Sequence, residues 1–521
     1  KTYRLLASVL NLYRALDAPH KPFSVDSITA PHPDLENTAE LAEFRMFLKS
    51  HFRESLLKEI NSNPEEDKIN LDFHYQSNVG LLIQSAGANV TGPAMGSIVL
   101  DAKAWAAAPA NHVLDWFKLH GDHTAANLMT ICQGESHFPT DVRAEPHNYP
   151  GAELPGFGDV SAFALPTWST RRPAGYDSST LVQGRLHAID EPAGKVRVVA
   201  ICDYWTQLAM KSVHDHLFRI LKRIRTDATF DQSGVVTEYF QRDLKPHWSF
   251  DLKAATDTIP LALYKEVLLV LLAKPGEAEE DTKVRVDLWV KVMTDRTFAL
   301  PNSMETVRYG TGQPMGALSS WASMAFVHHA LVQFAHYRAT RSLDWFQSYL
   351  VLGDDVDIAR LEQVAVQYQS LCSAYHIVIG LQKSLRSNRN VFEFANRRFA
   401  PEGDISPLSF QEELQAQTWM GRLEFARRIL SRYGTSLKDE GMAVLRRAAT
   451  VAQWRVLIPE ASGLRPSSLL TLVRWCLLTP FQNSGEKGRI DSFIQWLIPI
   501  LPKESRNKLT KDKESPALKL E

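Results

Sequence analysis

Residues Ser348–Arg360 read S-Y-L-V-L-G-D-D-V-D-I-A-R. β-forming apolar residues flank Gly353, Asp354 and Asp355, so the stretch predicts a hairpin with two adjacent carboxylates at its tip. Adjacent acids on an apolar hairpin are costly unless a cation sits on them. Hard divalent cations take carboxylate oxygens, which makes a pair of Mg²⁺ ions the candidate, with Mn²⁺ as the alternative. Gly-Asp also occurs in ordinary surface turns. The stretch alone leaves both readings open, and the rest of the chain decides between them.

Upstream, Trp248–Pro260 reads W-S-F-D-L-K-A-A-T-D-T-I-P. An aromatic strand delivers Asp251 at its end. Asp257 follows where a helix is expected to start and continue through Leu261–Leu272. An acid there also favours the helix dipole, a role compatible with a functional one. Further upstream, Gly194–Ala200 alternates as G-K-V-R-V-V-A, so Lys195 and Arg197 share one face of a strand. Two such cations can hold a triphosphate, or can simply face solvent. A helix from Tyr204 to Ile224 is expected next, with cations able to meet a nucleic-acid backbone.

Tyr309–Trp321 reads Y-G-T-G-Q-P-M-G-A-L-S-S-W, a Gly/Pro-rich loop leading into a long helix near Ser319 or Ser320. Small hydroxyls at that junction either cap the helix or bond a sugar. Beyond the hairpin come a helix at about Glu362–Tyr375, Lys383, and a second hairpin over Val391–Phe399 that carries Arg397 and Arg398. Lys383 reads equally as a general acid and as a salt-bridge partner.

A strand-end Asp and a hairpin-tip Asp meet when their strands neighbour each other in one antiparallel sheet. They could then bridge two metals roughly 3.5–4 Å apart. One would activate a sugar hydroxyl and the other would hold a triphosphate. Phosphoryl transfer relies on such positioning and charge neutralisation.

Composition bounds the reading. The chain has 521 residues, 45% of them hydrophobic and 22% charged, enough for a large core in about three domains. The net charge is −1, so any nucleic-acid site must be a local patch. The four cysteines, Cys132, Cys202, Cys372 and Cys476, form no C-x-x-C and suit a reducing compartment. Met315–Tyr337 carries no formal charge, but its histidines, glutamine and serines favour a buried helix over a membrane span. The Gly-rich stretch Val79–Val99 lacks the G-x-x-x-x-G-K pattern of a phosphate loop. The chain starts at Lys1, so its natural start is expected further upstream. Lys1, Arg4 and Arg14 precede Asp17 in an ordinary N-terminal helix instead of a transit peptide. Leu41–Ile60 is expected to be a helix, His137–Thr170 irregular, Lys274–Lys283 a polar surface loop, the region from about 410 helical and rich in arginine, and the end frayed.

These blocks together resemble the motifs of viral RNA-dependent RNA polymerases, specifically the mitovirus, narnavirus-like group. The matching residues are G-K-V-R-V-V-A-I-C-D-Y-W-T-Q at 194–207, S-F-D-L-K-A-A-T-D at 249–257, G-Q-P-M-G-A-L-S-S-W at 312–321, L-G-D-D at 352–355, Q-K-S at 382–384 and F-E-F-A-N-R-R at 392–398. The likeness spans roughly Gly184 to Arg398. It implies an α+β right-hand fold of fingers, palm with an antiparallel sheet, and helical thumb. Laid on the chain, that fold gives an N-terminal region with part of the fingers at 1–183, fingers at 184–245, palm at 246–273, a fingers insertion at 274–308, palm at 309–400, thumb at 401–502 and a flexible tail at 503–521.

The resemblance further implies that Asp251, Asp354 and Asp355 serve the metals. Asp257 with Ser319 or Ser320 would sense the ribose 2′-hydroxyl, and Lys195 and Arg197 would contact the nucleotide. RNA is the implied template and product, ribonucleoside triphosphates are the implied substrates, and the implied setting is the mitochondrion of a host cell. The near-neutral charge departs from what an RNA-binding enzyme leads one to expect. A reverse transcriptase would share the palm, but Asp257 suits a 2′-hydroxyl. A silent, host-integrated RNA-binding relative should have lost a metal acid, and all three are in place.

Overall fold

The hairpin expected around Gly353 is present, and the register of its strands fixes where the acids lie. The structure is a computed structural model that describes residues 2–11, 14, 19–81, 83, 85–90, 94–133, 180–301, 303 and 305–407. The irregular segment expected at His137–Thr170, the arginine-bearing helices beyond 407 and the tail lie outside the described residues.

In chain order the helices are α1 (Thr2–Leu10), α2 (Asp26–Thr29), α3 (Ala39–Phe47), α4 (Arg53–Ile60), α5 (Ile98–Ala106), α6 (His112–Leu119), α7 (His123–Gln133), α8 (Tyr204–Leu221), α9 (Gln232–Gln241), α10 (Ala255–Thr258), α11 (Leu261–Leu271), α12 (Glu279–Thr294), α13 (Ser320–Thr340) and α14 (Glu362–Ala374). The strands are β1 (Gly184–Glu191), β2 (Lys195–Cys202), β3 (His247–Asp251), β4 (Phe298–Ala299), β5 (Thr306–Val307), β6 (Tyr349–Leu352), β7 (Asp355–Ala359), β8 (Leu385–Ser387), β9 (Phe392–Phe394), β10 (Arg397–Ala400) and β11 (Gly403–Asp404).

The chain divides into two units. One comprises Lys1–Pro19, Pro192–Gly194 and Asn396–Glu521. Within it β10 and β11 pair antiparallel, with Phe399 opposite Asp404, and Arg397 Nη2 lies 2.9 Å from Asp404 Oδ2. The boundary at Ala395 falls inside the hairpin expected over Val391–Phe399.

The other unit, His20–Glu191 with Lys195–Ala395, carries every expected site residue. Its first sheet runs β2-β1-β4-β5, with β1 and β2 antiparallel from Gly184 opposite Cys202 to Glu191 opposite Lys195. Its second sheet runs β6-β7-β3-β8 and is antiparallel throughout. This is the α+β class, with the antiparallel sheet expected of a palm.

Local chemistry explains several boundaries. Asp203 caps α8, its Oδ1 accepting from Thr206 N at 3.0 Å, and Thr38 caps α3 through Leu41 N. The expected helix over Leu41–Ile60 is continuous but takes a π turn at Leu48–Phe52. Two expectations need correction. The helix expected to run from Asp257 through Leu261–Leu272 is broken into α10 and α11. Ile259 is extended before Pro260, and Pro260 offers no N–H to continue the ladder. The surface loop expected over Lys274–Lys283 ends early, because Glu279, Glu280 and Asp281 start α12, where acids suit the N-terminal dipole.

Helix α13 runs through the core, buried at every residue from Ala322 to His336. Its polar groups are satisfied inside the protein. Gln333 exchanges hydrogen bonds with the backbone of Phe346, and His329 bonds Asp227 and Tyr349. Among the described residues, no helix is long and apolar enough to cross a membrane.

Candidate active site

The site is built where β3 meets the β6–β7 hairpin. Leu352 pairs with Asp355, which leaves Gly353 and Asp354 as a two-residue turn. Gly353 has φ +60° and Asp354 does not have positive φ, the pattern of a II′ turn with glycine first. Asp251, the last residue of β3, stands directly opposite Asp355, the first of β7. The Leu252 N–H donates to the Asp354 carbonyl at 3.1 Å, so the turn is tied to the chain just past Asp251.

Three carboxylates from two distant stretches therefore share one sheet end. Burial pushes the Asp355 carboxyl up to about 7, with the charges of Asp354 and Asp251 adding to the effect. Burial also raises Asp354, as does the charge of Asp251, while Lys383 and Arg197 pull it down. Acids held in mutual repulsion at one end of a sheet favour a cation between them. Lys383 supplies one, its Nζ lying 3.2 and 3.0 Å from Oδ1 and Oδ2 of Asp251. That lysine is largely exposed and so can swing away. Among the described residues no three His, Cys, Asp or Glu side chains are already gathered into a closed ligand set. Carboxylate oxygens are nonetheless the donors a hard divalent cation takes, and here the lysine ammonium meets those of Asp251.

Lys195 and Arg197 project from one face of β2, as their alternation required. Both are held by Glu191 at the end of β1, at 3.1 Å from Lys195 Nζ and 2.6 Å from Arg197 Nε. Burial works to raise the Glu191 carboxyl, but hydrogen bonds from Arg197 and Lys195 outweigh it and hold the group low. The charge of Arg197 reaches Asp354, which ties this pair electrostatically to the acids.

The expected sugar-sensing residues lie further along. Asp257 is buried, and its Oδ2 accepts from the Ser27 hydroxyl at 2.8 Å. Its Oδ1 is buried without a hydrogen-bond partner. Burial pushes this carboxyl up to about 6, against the Ser27 hydrogen bond. Ser319 sits in a left-handed conformation, φ +72°, and does not cap α13. Its oxygen instead accepts from the Trp289 indole at 3.0 Å. Ser320 is buried at the first position of α13, and its carbonyl accepts from Gln313, whose own N–H donates to the Thr256 carbonyl. The described hydrogen bonds therefore give Asp257 and Ser319 separate partners and join neither to the other.

Three residues at the site were not singled out from the sequence. Glu191 is close to Lys195 and Arg197 in sequence, and the acid beside a basic strand was the available signal. Asp357 was legible as the second acid of D-V-D, on the same face as Asp355. It accepts from Tyr239, His247 and Ser249 at 2.8, 2.7 and 2.7 Å, a fully buried support behind the half-buried acids. Ser27 lies 230 residues before Asp257, and no local pattern marks it.

Comparison with known proteins gives this geometry its context. The family described as Mitovirus RNA-dependent RNA polymerase matches residues 83–475. The RNA-directed RNA polymerase of Cryphonectria parasitica mitovirus 1 is 34% identical over 220 residues, 42% of this chain and 25% of that protein. The match thus spans a quarter of that relative's length. An uncharacterized mitochondrial protein of Arabidopsis thaliana is 33% identical over 213 residues, 40% of this chain and 81% of that protein. The solved RNA-dependent RNA polymerase of a human picorbirnavirus superposes with a TM-score of 0.42 at 15% identity, covering 61% of this chain and 65% of that one. With the family matched over 393 of 521 residues (475 − 83 + 1), this chain belongs to the mitovirus RNA-dependent RNA polymerases.

Proposed function

We propose that this chain joins ribonucleotides on an RNA template, copying a viral RNA genome from ribonucleoside triphosphates. The observation that carries the reading is Asp251 opposite Asp355, with Asp354 on the adjoining turn and the charge of Asp251 adding to burial in raising both neighbouring carboxyls. Asp251, Asp354 and Asp355 would hold two Mg²⁺ ions, or Mn²⁺ in their place. When bound, such ions neutralise phosphate charge and activate the attacking sugar hydroxyl.

The protein's own groups account for the rest. Lys195 and Arg197 orient the incoming triphosphate, exchanging their ion pairs with Glu191 for its phosphates. Lys383 releases Asp251 on substrate entry and carries a proton at Nζ for the departing pyrophosphate. Asp257 accepts the ribose 2′-hydroxyl at its free Oδ1, with Ser319 or Ser320 as the second contact to the sugar. The fingers, palm and thumb limits drawn above belong to the same proposal. So does residence in the mitochondrion, supported by the mitochondrial relative in Arabidopsis.

The test is extension of an RNA primer on an RNA template with ribonucleotides and Mg²⁺. Wild type should extend it, and Asp354→Ala should not while still binding RNA. Continued synthesis by that variant would show the acids to be misassigned, and efficient use of deoxynucleotides would favour a reverse transcriptase. The Arabidopsis relative keeps a second reading in play, a silent RNA-binding copy. Wild type that binds RNA without extending it would favour that one.

A further inference from the structure

The turn that carries Asp354 is gripped by α13 at two points. A Cβ built on Gly353 would lie 2.6 Å from Cη2 of Trp321, so the indole fills the space beside the Gly353 Cα. Seven residues and about two helical turns further along, on the same face, His328 Nδ1 lies 2.7 Å from the Gly353 carbonyl oxygen. The other ring nitrogen, Nε2, lies 2.7 Å from the Tyr368 hydroxyl on α14.

The proton positions follow from the partners. A carbonyl only accepts, so Nδ1 must carry hydrogen and donate to Gly353. His328 is fully buried, and burial drives its pKa down to about 4, so the ring is neutral and holds one proton. Nε2 is then an acceptor, and the Tyr368 hydroxyl donates to it. The order is Tyr368 O–H to His328, and His328 N–H to the Gly353 carbonyl. Tyr368 is itself held by stacking on Phe250 of β3, one residue before Asp251. One relay therefore fixes the hairpin turn relative to the strand that bears the opposing acid.

We propose that His328 and Tyr368 are positioning residues for Asp354, holding the turn through the Gly353 carbonyl so that its carboxylate is aimed beside Asp251. This rests on the reading of Asp354 as a cation ligand. A histidine used only to fill the core would need no donor at Nδ1, which gives the proposal a distinct signature.

The experiment compares wild type, His328→Leu, His328→Asn, Tyr368→Phe and Asp354→Ala in the full chain. It measures kcat and KM for primer extension, Mn²⁺ affinity of the resting protein by paramagnetic resonance, and melting temperature. His328→Leu should lower kcat by about 10- to 100-fold and weaken Mn²⁺ binding similarly, as loss of groups behind metal ligands does. KM should stay within about twofold, since the triphosphate contacts lie elsewhere. His328→Asn, which restores an N–H near the Nδ1 position, should recover most of both losses. Tyr368→Phe keeps the ring and should cost about fivefold in kcat, the size of one neutral hydrogen bond. It decides the matter if His328→Leu does not fold. A lowered melting temperature with kcat and Mn²⁺ affinity unchanged would overturn the proposal, as would Asn performing no better than Leu. If Asp354→Ala still polymerises, the cation-site reading fails. If Asp354→Ala is inactive while His328→Leu and Tyr368→Phe match wild type, the positioning role alone fails.

Discussion

Asp251 and Asp355 face each other across an antiparallel pair, 104 residues apart in sequence (355 − 251) and directly opposed in register. Such a placement is costly without a cation, and Lys383 supplies one, 3.0 Å from Asp251 Oδ2. Under the proposed function, the ammonium would leave as a harder cation enters.

The turn should tolerate no side chain at Gly353. Alanine there would face Trp321 at 2.6 Å and would have to hold φ +60°, which costs about 1–2 kcal/mol for a residue with a Cβ. Gly353→Ala should lower kcat for primer extension by at least about tenfold while circular dichroism stays native. Wild-type kcat in that variant would show that the turn geometry is not critical.

Glu191 neutralises the two cations expected to meet the triphosphate. Glu191→Gln should free them and tighten nucleotide binding. Exposed ion pairs contribute about 0.2–1 kcal/mol, so KM should fall by up to about fivefold, and more at low salt. A rise in KM would mean that Glu191 acts mainly to orient Lys195 and Arg197.

Asp257 should govern the choice between ribose and deoxyribose. Asp257→Ala should lower the preference for ribonucleotides by about tenfold or more in kcat/KM ratios. Ser27→Ala, which removes the bond to Oδ2, should lower it less. An unchanged ratio in both variants would move the sugar contact to other residues.

Acid stability should depend on a pair away from the site. Hydrogen bonds from Arg285 hold Glu277 down to about 2, from an ordinary value of 4.5. Its guanidinium nitrogens lie 2.5 and 2.7 Å from the two carboxylate oxygens, and both side chains are largely buried. Because the folded value is the lower one, the contribution is full above pH 4.5 and is lost as pH falls toward 2. Glu277→Gln should therefore flatten the stability profile over that window. At pH 7 it should cost about 3–5 kcal/mol by leaving Arg285 unpaired, read as a lower denaturant midpoint. A variant with the wild-type acid limb would exclude this pair as its source.

The acids were legible because each sits at a place that sequence marks. Asp251 ends an aromatic strand, and Gly353-Asp354-Asp355 interrupts two apolar runs. Lys195 and Arg197 were legible from alternation. What stayed hidden depended on distance or on bland surroundings. Ser27 meets Asp257 across 230 residues. His328 sits in an apolar helix where a histidine reads as core, and only the position of the Gly353 carbonyl shows what its Nδ1 does. Ser319 was expected at the sugar or as a cap, yet its oxygen takes the Trp289 indole, a partner on another helix that no spacing announces. The break at Pro260 was readable from the proline itself but was outweighed by the apolar run beyond it.

The most direct test of the central claim is Mn²⁺ affinity and primer extension measured together on wild type, Asp251→Asn and Asp354→Asn. If these acids share bound cations, each variant should lose Mn²⁺ affinity and lose extension by more than about 100-fold, beyond what groups behind the ligands cost. Variants that bind Mn²⁺ and extend RNA like wild type would contradict it.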